Sequence, residues 1–389
     1  MTDDSMNISY IINILGENEN GGLHPVAPPI YQTSNFYFNT VDQFRNAISN
    51  EKANLIYSRG NNPTINLLCR KLAALEGADE ALVFGSGMAA ISAAILSNIK
   101  TGDHLVCVQN PYTWANTLLN INILPRFGVQ VSMADGRSTQ AIIDAVSPET
   151  SVIYLESPNS WTFEIQDLKV ISEYARQHGI ITIIDNSFST PLYQQPIKLG
   201  IDLVVHTASK YLGGHSDVVA GVCCGSKKMI EKIFANEFQT LGGILSPFNA
   251  WLVLRGLRTL PVRMEHVSRV TQQVISYLKT QSKVIRIYYP FLAENEQYNL
   301  ASAQMKKGSG LFTIEVDSTP EAIEAFCNSL TYWRMAVSWG GFESLIIPSS
   351  AFVRPGLDSV LPPTLIRFSV GLEDAETLIH DIDNHINLL

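Results

Sequence analysis

The chain has 389 residues, of which 46% are hydrophobic and 16% charged, a composition typical of a soluble globular protein and not of a disordered chain. Its net charge of −9, without a run of Lys or Arg, argues against nucleic acid or anionic membranes as partners. No apolar stretch is long enough to span a bilayer, and the acidic N-terminus lacks the features of a signal peptide.

The cysteines argue against a disulfide framework and against a zinc site, because their number is odd and their spacing irregular. We therefore expect a reducing, cytoplasmic setting in which most thiols are core residues, although a nucleophilic cysteine stays an open alternative. The five are Cys69, Cys107, Cys223, Cys224 and Cys327.

Residues 1–58 are predicted to form an irregular polar arm, with a proline-rich stretch at 24–38. Such an arm often packs against another molecule, such as a neighbouring subunit. The low charged fraction of so long a chain also hints at surface buried in an oligomer.

Residues 59–248 are predicted to form an α/β domain in which helices alternate with strands. The strands are continuous apolar runs, which favours a largely parallel sheet covered on both faces. The segments that carry this prediction are the helix 64–78, the strand–turn–helix 80–99, the strands 104–109, 151–158, 179–186 and 201–210, and the helix 167–179.

Residues 249–389 are predicted to form a smaller α+β domain. A long helix that begins near 245 and continues through 280 leads into it. The remaining elements are the strands 309–316, 344–348 and 365–371, the helix 319–330 and a last amphipathic helix.

Three features suggest a site at the carboxyl ends of the strands, where ligands bind in such sheets. Lys210 follows a buried strand in "HTASKYLGGHSD", and it is either a surface lysine or a reactive amine. Asp185 ends the strand "GIITIID", and it either faces the ligand crevice or caps a helix. The turn "VFGSGMAA" (83–90) presents free amides at a helix N-terminus, which predicts an anion site.

The same turn also fits a dinucleotide fingerprint, or a plain packing turn. The dinucleotide alternative is weaker, because Asp103 precedes its strand, whereas a ribose-binding carboxylate should follow one. A metal site at His206, His215 and Asp217 is disfavoured, since their spacing suits no single ion.

A lysine, a strand-end aspartate and a phosphate-binding turn together match pyridoxal 5'-phosphate (PLP). The aldehyde of that cofactor takes a lysine, its pyridinium nitrogen a carboxylate, and its phosphate a set of amides and hydroxyls. Thr207 and Ser209 are candidate hydroxyl donors.

Longer motifs carry a resemblance that covers the chain from about residue 25 to its end: "YSRGNNPT", "LEGADEALVFGSGMAAISAAIL", "IDNSF", "HTASKYLGGHSD", "SPFNAWLVLRGLRTLPVRMEHV" and "SWGGFESL" with "TLIRFSVGLED". Together they resemble the Cys/Met-metabolism family of PLP enzymes, which includes cystathionine synthases and lyases and methionine γ-lyase. The resemblance implies the fold of type I PLP enzymes, similar to aspartate aminotransferase, and a homotetramer built from dimers with shared active sites.

The site residues follow from the resemblance by position. It implies that Lys210 carries the cofactor, that Asp185 pairs with the pyridinium, and that Arg367 binds the substrate α-carboxylate. Tyr112 would stack on the cofactor ring and assist proton transfer. The remaining implied cofactor contacts are Gly87, Met88, Thr207 and Ser209, with Tyr57 and Arg59 reaching the phosphate of a neighbouring subunit.

Four positions bear on which reaction the chain catalyses. Enzymes of the family that act at the γ-carbon often have acidic residues where Ile56 and Val337 stand here, before Tyr57 and Ser338. Trp339 and Ser160 also differ from the γ-acting pattern, and the bacterial cystathionine β-lyases are similar in these respects. "PYTWAN" around Tyr112 departs from the usual Y-G-G-T.

The expected function is therefore PLP-dependent β-elimination from cystathionine or a related β-thioether amino acid. The alternatives are γ-synthase or γ-lyase activity, including that of methionine γ-lyase. From other classes, an NAD-dependent oxidoreductase and a catalytically silent relative stay open, although Lys210, Asp185 and Arg367 are all present.

Overall fold

The computed structural model describes residues 7–17, 24–352 and 361–389. Parts of the predicted arm (1–6 and 18–23) and of the predicted C-terminal domain (353–360) lie outside the described residues. The α-helices are α1 Ile8–Asn13, α2 Val41–Ile48, α3 Pro63–Glu76, α4 Gly87–Leu96, α5 Thr113–Asn116, α6 Ile123–Arg126, α7 Thr139–Asp144, α8 Leu168–His178, α9 Thr190–Tyr193, α10 Lys227–Ile233, α11 Gln239–Leu241, α12 Pro247–Leu278, α13 Tyr298–Gln304, α14 Pro320–Ser329 and α15 Ala375–His385.

Within the described ranges, a sheet of seven strands forms the centre of the larger half. Its strands are β1 Glu80–Phe84, β2 His104–Val108, β3 Gln130–Ala134, β4 Thr150–Glu156, β5 Ile181–Asp185, β6 Leu203–Thr207 and β7 Gly221–Gly225. Their order is β1-β7-β6-β5-β4-β2-β3. β7 runs antiparallel to β1 and β6, and the other pairings are parallel, so the predicted mostly parallel sheet is confirmed.

Both faces of this sheet are covered, as the unbroken apolar runs predict. In β6, Val205 packs into the same cluster as Ile91 of α4, whereas Val204 packs on the other face with Ile171 of α8. Successive strand residues therefore bury opposite faces.

The smaller sheet consists of β8 Val284–Tyr288, β9 Leu311–Val316, β10 Arg334–Met335, β11 Leu345–Pro348 and β12 Leu365–Ser369. Its order is β10-β11-β12-β9-β8, and it is antiparallel except for β10 with β11. The long helix α12 connects the two halves. The domain boundaries given above stay a prediction.

The N-terminal arm differs from its prediction, because α1 and α2 are helical and not irregular. The buried Lys71 fixes α1: its Nζ donates to the carbonyls of Ile11 at 2.7 Å and Ile12 at 3.2 Å. Nζ also pairs with the Glu17 carboxylate at 3.0 Å. A short apolar patch thus forms a helix through packing against α3.

Candidate active site

The carboxyl ends of the parallel strands bring the predicted residues to one edge of the large sheet. Asp185 ends β5 and Thr207 ends β6. β7 aligns Thr207 with β1, since Gly221 is the register partner of both Thr207 and Phe84. The turn from β1 into α4 therefore lies beside the end of β6.

The turn at the start of α4 brings the backbone of Gly87 close to the side chain of Thr207. Ser86 caps the helix, its side chain accepting from the N–H of Ala89 at 3.1 Å. A Cβ built on Gly87 would lie only 2.2 Å from Oγ1 of Thr207. The amides of Gly87 and Met88, in the first turn, have no intrahelical acceptor and suit an anionic group.

Lys210 lies in the turn after β6, where its N–H donates to the Thr207 carbonyl at 3.1 Å. Its Nζ donates to Oγ of Ser338 and lies 5.2 Å from the centroid of the Trp339 ring. Burial and the positive charge of Arg367 lower the pKa of Lys210 to about 8, against the opposing effect of Asp185. A substantial fraction of this amine is therefore neutral near pH 8, as a nucleophile or base requires.

Asp185 is buried, and its Oδ1 accepts from the N–H of Ser187 at 2.9 Å. Burial raises the pKa of this carboxyl, while Ser187 and the charges of His206 and Lys210 act in the opposite direction. A cation placed against it would favour the carboxylate form.

Glu156 is a buried acid that the sequence reasoning missed. It ends β4 directly opposite Asp185. Its Oε2 accepts from the N–H of Tyr112 at 2.6 Å. Burial and the negative charge of Asp185 raise the pKa of Glu156 to about 8. The signal was available, because the strand-end argument applied to Asp185 holds equally for "YLE" at the end of β4.

Arg367 comes from β12 of the smaller sheet, and it is buried. Its guanidinium donates to the carbonyls of Ser160 and Ser338, each at 3.4 Å. It lies 4.8 Å from the centroid of the Trp161 ring. Burial lowers the pKa of Arg367 to about 10, so the group stays charged at neutral pH. These long hydrogen bonds leave donors for a substrate carboxylate.

The other predicted residues are placed as follows. Tyr112 precedes α5, with 41% of its surface exposed. Burial of part of its side chain, with the nearby charges of Asp185 and Glu156, raises its pKa. The Ser209 hydroxyl is engaged with the backbone of Ala220, from whose N–H it accepts at 2.9 Å.

Ile56 and Tyr57 end the predicted arm, and Arg59 follows it directly. The Arg59 guanidinium lies 5.5 Å from the Tyr57 ring, and its Nε donates to Gln239 at 2.9 Å. The Ile56 carbonyl accepts from the N–H of Phe36 at 3.0 Å. The structure thus brings Lys210, Asp185, Ser338, Trp339, Ser160 and Arg367 together, whereas Ile56, Tyr57 and Arg59 contact other parts of the same chain.

The cysteines do not suit nucleophilic chemistry. All five are unpaired, and burial raises the pKa of Cys69, Cys223 and Cys327 to about 12. Burial also raises the pKa of Cys107 and Cys224.

Among the residues that the structure describes, no helix is both long enough and apolar enough to cross a membrane. Across the described ranges, no group of three or more His, Cys, Asp or Glu side chains is arranged to hold a metal ion. The side chain of Asp103 accepts from the N–H of Lys100 at 2.9 Å in the turn before β2.

Comparisons with known proteins agree with this geometry. The family model for the Cys/Met metabolism PLP-dependent enzyme matches residues 11–387. The chain is 36% identical to L-methionine gamma-lyase of Fusobacterium nucleatum subsp. nucleatum, covering 92% of each chain. It is also 36% identical to cystathionine beta-lyase of Lactococcus lactis subsp. cremoris, covering 92% of this chain and 93% of the other.

A solved structure gives a third comparison. Cystathionine gamma synthase from Xanthomonas oryzae pv. oryzae, in complex with aminoacrylate and cysteine, superposes with a TM-score of 0.91 at 29% identity over 98% of both chains. The resemblance to the family is confirmed. Because β-acting and γ-acting relatives match equally well, the identities do not distinguish the two reactions.

Proposed function

The chain belongs to the family of Cys/Met metabolism PLP-dependent enzymes and is a PLP-dependent carbon–sulfur lyase, and we propose that its reaction is β-elimination. The proposed substrate is cystathionine or a related β-thioether amino acid. The products are a thiol, pyruvate and ammonia. The single observation that carries the proposal is Val337, an apolar, 74% exposed residue beside the Ser338 that binds Lys210.

The described residues fit PLP for two reasons. The close approach of Gly87 to Thr207 leaves backbone amides free for a phosphate, and the carboxylate of Asp185 at the end of β5 suits a pyridinium nitrogen. Lys210 would attach the cofactor aldehyde, and Asp185 would face the pyridinium nitrogen. Bound there, PLP supplies an electron sink for the pair left when the α-proton is removed. The proposed phosphate and ring contacts are Gly87, Met88, Thr207, Ser209 and Tyr112.

The protein side chains would bind the substrate and move its protons. Arg367 would hold the α-carboxylate through two charge-assisted hydrogen bonds. The Lys210 amine, oriented by Ser338, would remove the α-proton. Lys210 or Tyr112 would then protonate the leaving thiolate. Released into water, the enamine product hydrolyses to pyruvate and ammonia.

Apolar Ile56 and Val337 support cleavage at the β-carbon, because γ-acting members of the family often have acids at these positions. Ser160 supports it too, since it stands where γ-acting relatives have asparagine. Trp339, whose ring lies beside the Lys210 amine, also supports it, since it differs from the pattern of γ-acting relatives.

A γ-elimination is the second candidate, favoured by the methionine gamma-lyase relative at 36% identity. The two reactions give different keto acids from one substrate. The PLP-loaded protein is incubated with cystathionine and the keto acid is identified. Pyruvate supports β-elimination, whereas 2-oxobutyrate would overturn it in favour of γ-elimination.

We also propose a homotetramer, built from dimers, in which Tyr57 and Arg59 reach the cofactor phosphate of a neighbouring subunit. The exposed apolar side chains of the arm support it, among them Tyr37 at 89% exposure and Val41 at 70%. Sedimentation measurements would test the assembly. A cytoplasmic location is proposed from the five unpaired thiols.

A further inference from the structure

The side chains around Arg367 differ in character on its two sides. Its guanidinium donates to the carbonyl of Ser338, whose hydroxyl accepts from Lys210, and the negative charge of the buried Glu156 acts on it. On the other side the guanidinium faces the indole of Trp161, at 4.8 Å from the ring centroid. A substrate carboxylate bound to Arg367 would therefore be bordered by an aromatic surface.

A dedicated turn holds Trp161 in place. Oδ1 of the buried Asn159 accepts from the backbone N–H groups of Trp161 at 3.1 Å, Thr162 at 2.9 Å and Phe163 at 2.9 Å. Its Nδ2 donates to the Thr162 hydroxyl at 2.9 Å and the Glu164 carboxylate at 3.2 Å. All the hydrogen-bonding groups of the Asn159 side chain serve this turn, so the position of Trp161 is specified by the sequence "PNSWTFE".

A second aromatic ring extends this surface, and an apolar residue precedes Ser338 in the chain. The Phe352 ring meets the Trp161 ring edge to face, with centroids 5.9 Å apart. Val337 adjoins Ser338, whose carbonyl accepts from the same guanidinium at 3.4 Å. In the single chain, Phe352 is 48% exposed and Val337 74% exposed. We call Trp161, Val337 and Phe352 the apolar wall.

The apolar wall would be a poor partner for the far end of cystathionine. That end carries an ammonium and a carboxylate, and placing them against indole, phenyl and isopropyl groups removes water without supplying an ionic partner. An alkyl or aryl group on the thioether sulfur, by contrast, would gain from the same contact.

We propose that the preferred substrates are S-substituted cysteines with an apolar alkyl or aryl group on sulfur, and that the apolar wall sets this preference. The inference rests on the proposed β-elimination. The substrate R–S–CH₂–CH(NH₃⁺)–COO⁻ and one water give RSH, pyruvate and ammonium, with the Cβ–S bond broken and the α-proton taken up by Lys210.

A matched pair of substrates tests the preference. S-(3-methylbutyl)-L-cysteine has an isopropyl group where cystathionine has its second amino acid centre, and both release an alkyl thiol. We expect kcat/KM for the apolar compound to exceed that for cystathionine by at least tenfold. Equal values or a preference for cystathionine would overturn the inference while leaving β-elimination intact. If neither compound yields pyruvate, the proposed function itself fails.

Variants of the wall identify its role. Trp161→Ala should raise KM for the apolar compound at least fivefold and leave kcat within about threefold, while Trp161→Phe should restore most of the binding. A fall in kcat for both substrates alike, not rescued by Phe, would mean that Trp161 only supports Arg367 structurally, against the proposal.

Val337→Glu tests charge at an exposed position where folding is not at risk. It should lower kcat/KM for the apolar compound at least tenfold and shift the preference toward cystathionine, whose ammonium gains a partner. Val337→Gln matches its size without the charge and should not shift the preference. The same shift with Gln, or none with Glu, would exclude Val337 from the wall.

Discussion

Glu156 and Asp185 stand side by side at the ends of neighbouring parallel strands, both buried. Burial raises the pKa of both carboxyls, and the negative charge of Asp185 raises the pKa of Glu156 further. Arg367 lies on the Glu156 side of the pair and Lys210 on the Asp185 side. The two acids therefore have different roles available: Asp185 toward a cofactor cation, and Glu156 between Arg367 and the Tyr112 backbone.

The raised pKa of Glu156 predicts a pH dependence of stability. In the unfolded chain its pKa is about 4.5, whereas in the folded chain it is about 8. The stabilising contribution of this group is therefore complete below pH about 4.5 and is lost as the pH rises through about 8. Glu156→Gln cannot ionise, so the variant should not show this loss of stability at high pH.

Urea unfolding of cofactor-free protein at pH 5 and pH 8 would measure the effect. We expect the free energy of unfolding to fall less in Glu156→Gln than in the wild type, by about 1–4 kcal/mol. Glu321→Gln, an exposed change in α14, is the control and should follow the wild type. A variant that loses as much stability as the wild type would show that Glu156 is ionised throughout.

Lys210 is expected to be the only lysine that can fix the cofactor. Borohydride reduction of the loaded protein, followed by peptide mass spectrometry, should label the peptide containing Lys210. Lys210→Ala should lose the label and at least a thousandfold of the elimination rate. A label retained in Lys210→Ala would assign the linkage to another residue.

Labelling should also depend on pH in a defined direction. Because the pKa of Lys210 is lowered to about 8, the neutral amine increases between pH 7 and 9. The rate at which cofactor-free protein takes up PLP should rise over this interval. A rate that falls or stays flat would contradict a free amine with this pKa.

Gly87 tests the phosphate turn. An alanine Cβ would collide with the Thr207 side chain, so Gly87→Ala must push β6 and α4 apart. We expect PLP affinity, measured by absorbance titration, to fall at least tenfold. Ala89→Gly, in the same turn of α4, changes the helix without a collision and should cost less than threefold. Unchanged affinity in Gly87→Ala would place the phosphate elsewhere.

The sequence predicted those parts of the fold in which local pattern and burial agree. β2, β5 and β6 are apolar runs, and their predicted ends lie within a few residues of the ends in the structure. β3 and β7 were not predicted. β3 is only partly buried and β7 has glycine at both ends, so each carries a weak strand signal.

The site shows the same division. Lys210, Asp185 and the Gly87 turn are recognisable because each ends or begins a predicted element. The contact of Lys210 with Ser338 joins residues 128 positions apart, and no local pattern signals it. The role proposed for Tyr57 and Arg59 depends on a second chain, which the sequence of one chain does not position.

The buried pair formed by Glu76 and His206 lies near the site without facing the substrate. Nε2 of His206 is 2.7 Å from Oε2 of Glu76, and neither side chain is more than 1% exposed. Burial raises the pKa of Glu76, and its contact with His206 opposes this. A positive charge on His206 also lowers the pKa of Asp185. The pair therefore connects the end of α3 to the ionisation of Asp185, the acid proposed to face the cofactor.

Removing either partner should be costly, because the other is left buried without its hydrogen bond. We expect Glu76→Ala and His206→Ala each to lower the free energy of unfolding by about 3–5 kcal/mol. The double variant should lose less than the sum of the two, and a double-mutant cycle from urea unfolding would give the coupling.

PLP affinity, measured beside the free energy of unfolding, separates an electrostatic role of the pair from packing alone. The charge of His206 lowers the pKa of Asp185, so that pKa should rise in His206→Gln and the hold of Asp185 on the pyridinium should weaken. We therefore expect His206→Gln to lower PLP affinity, measured by absorbance titration at pH 7. Val204→Ala is the control for destabilisation, because Val204 is a core residue two positions before His206 and on the same face of β6. An affinity loss in His206→Gln no greater than that in Val204→Ala would mean that the pair acts through packing, because an electrostatic effect on Asp185 should be absent from the apolar control.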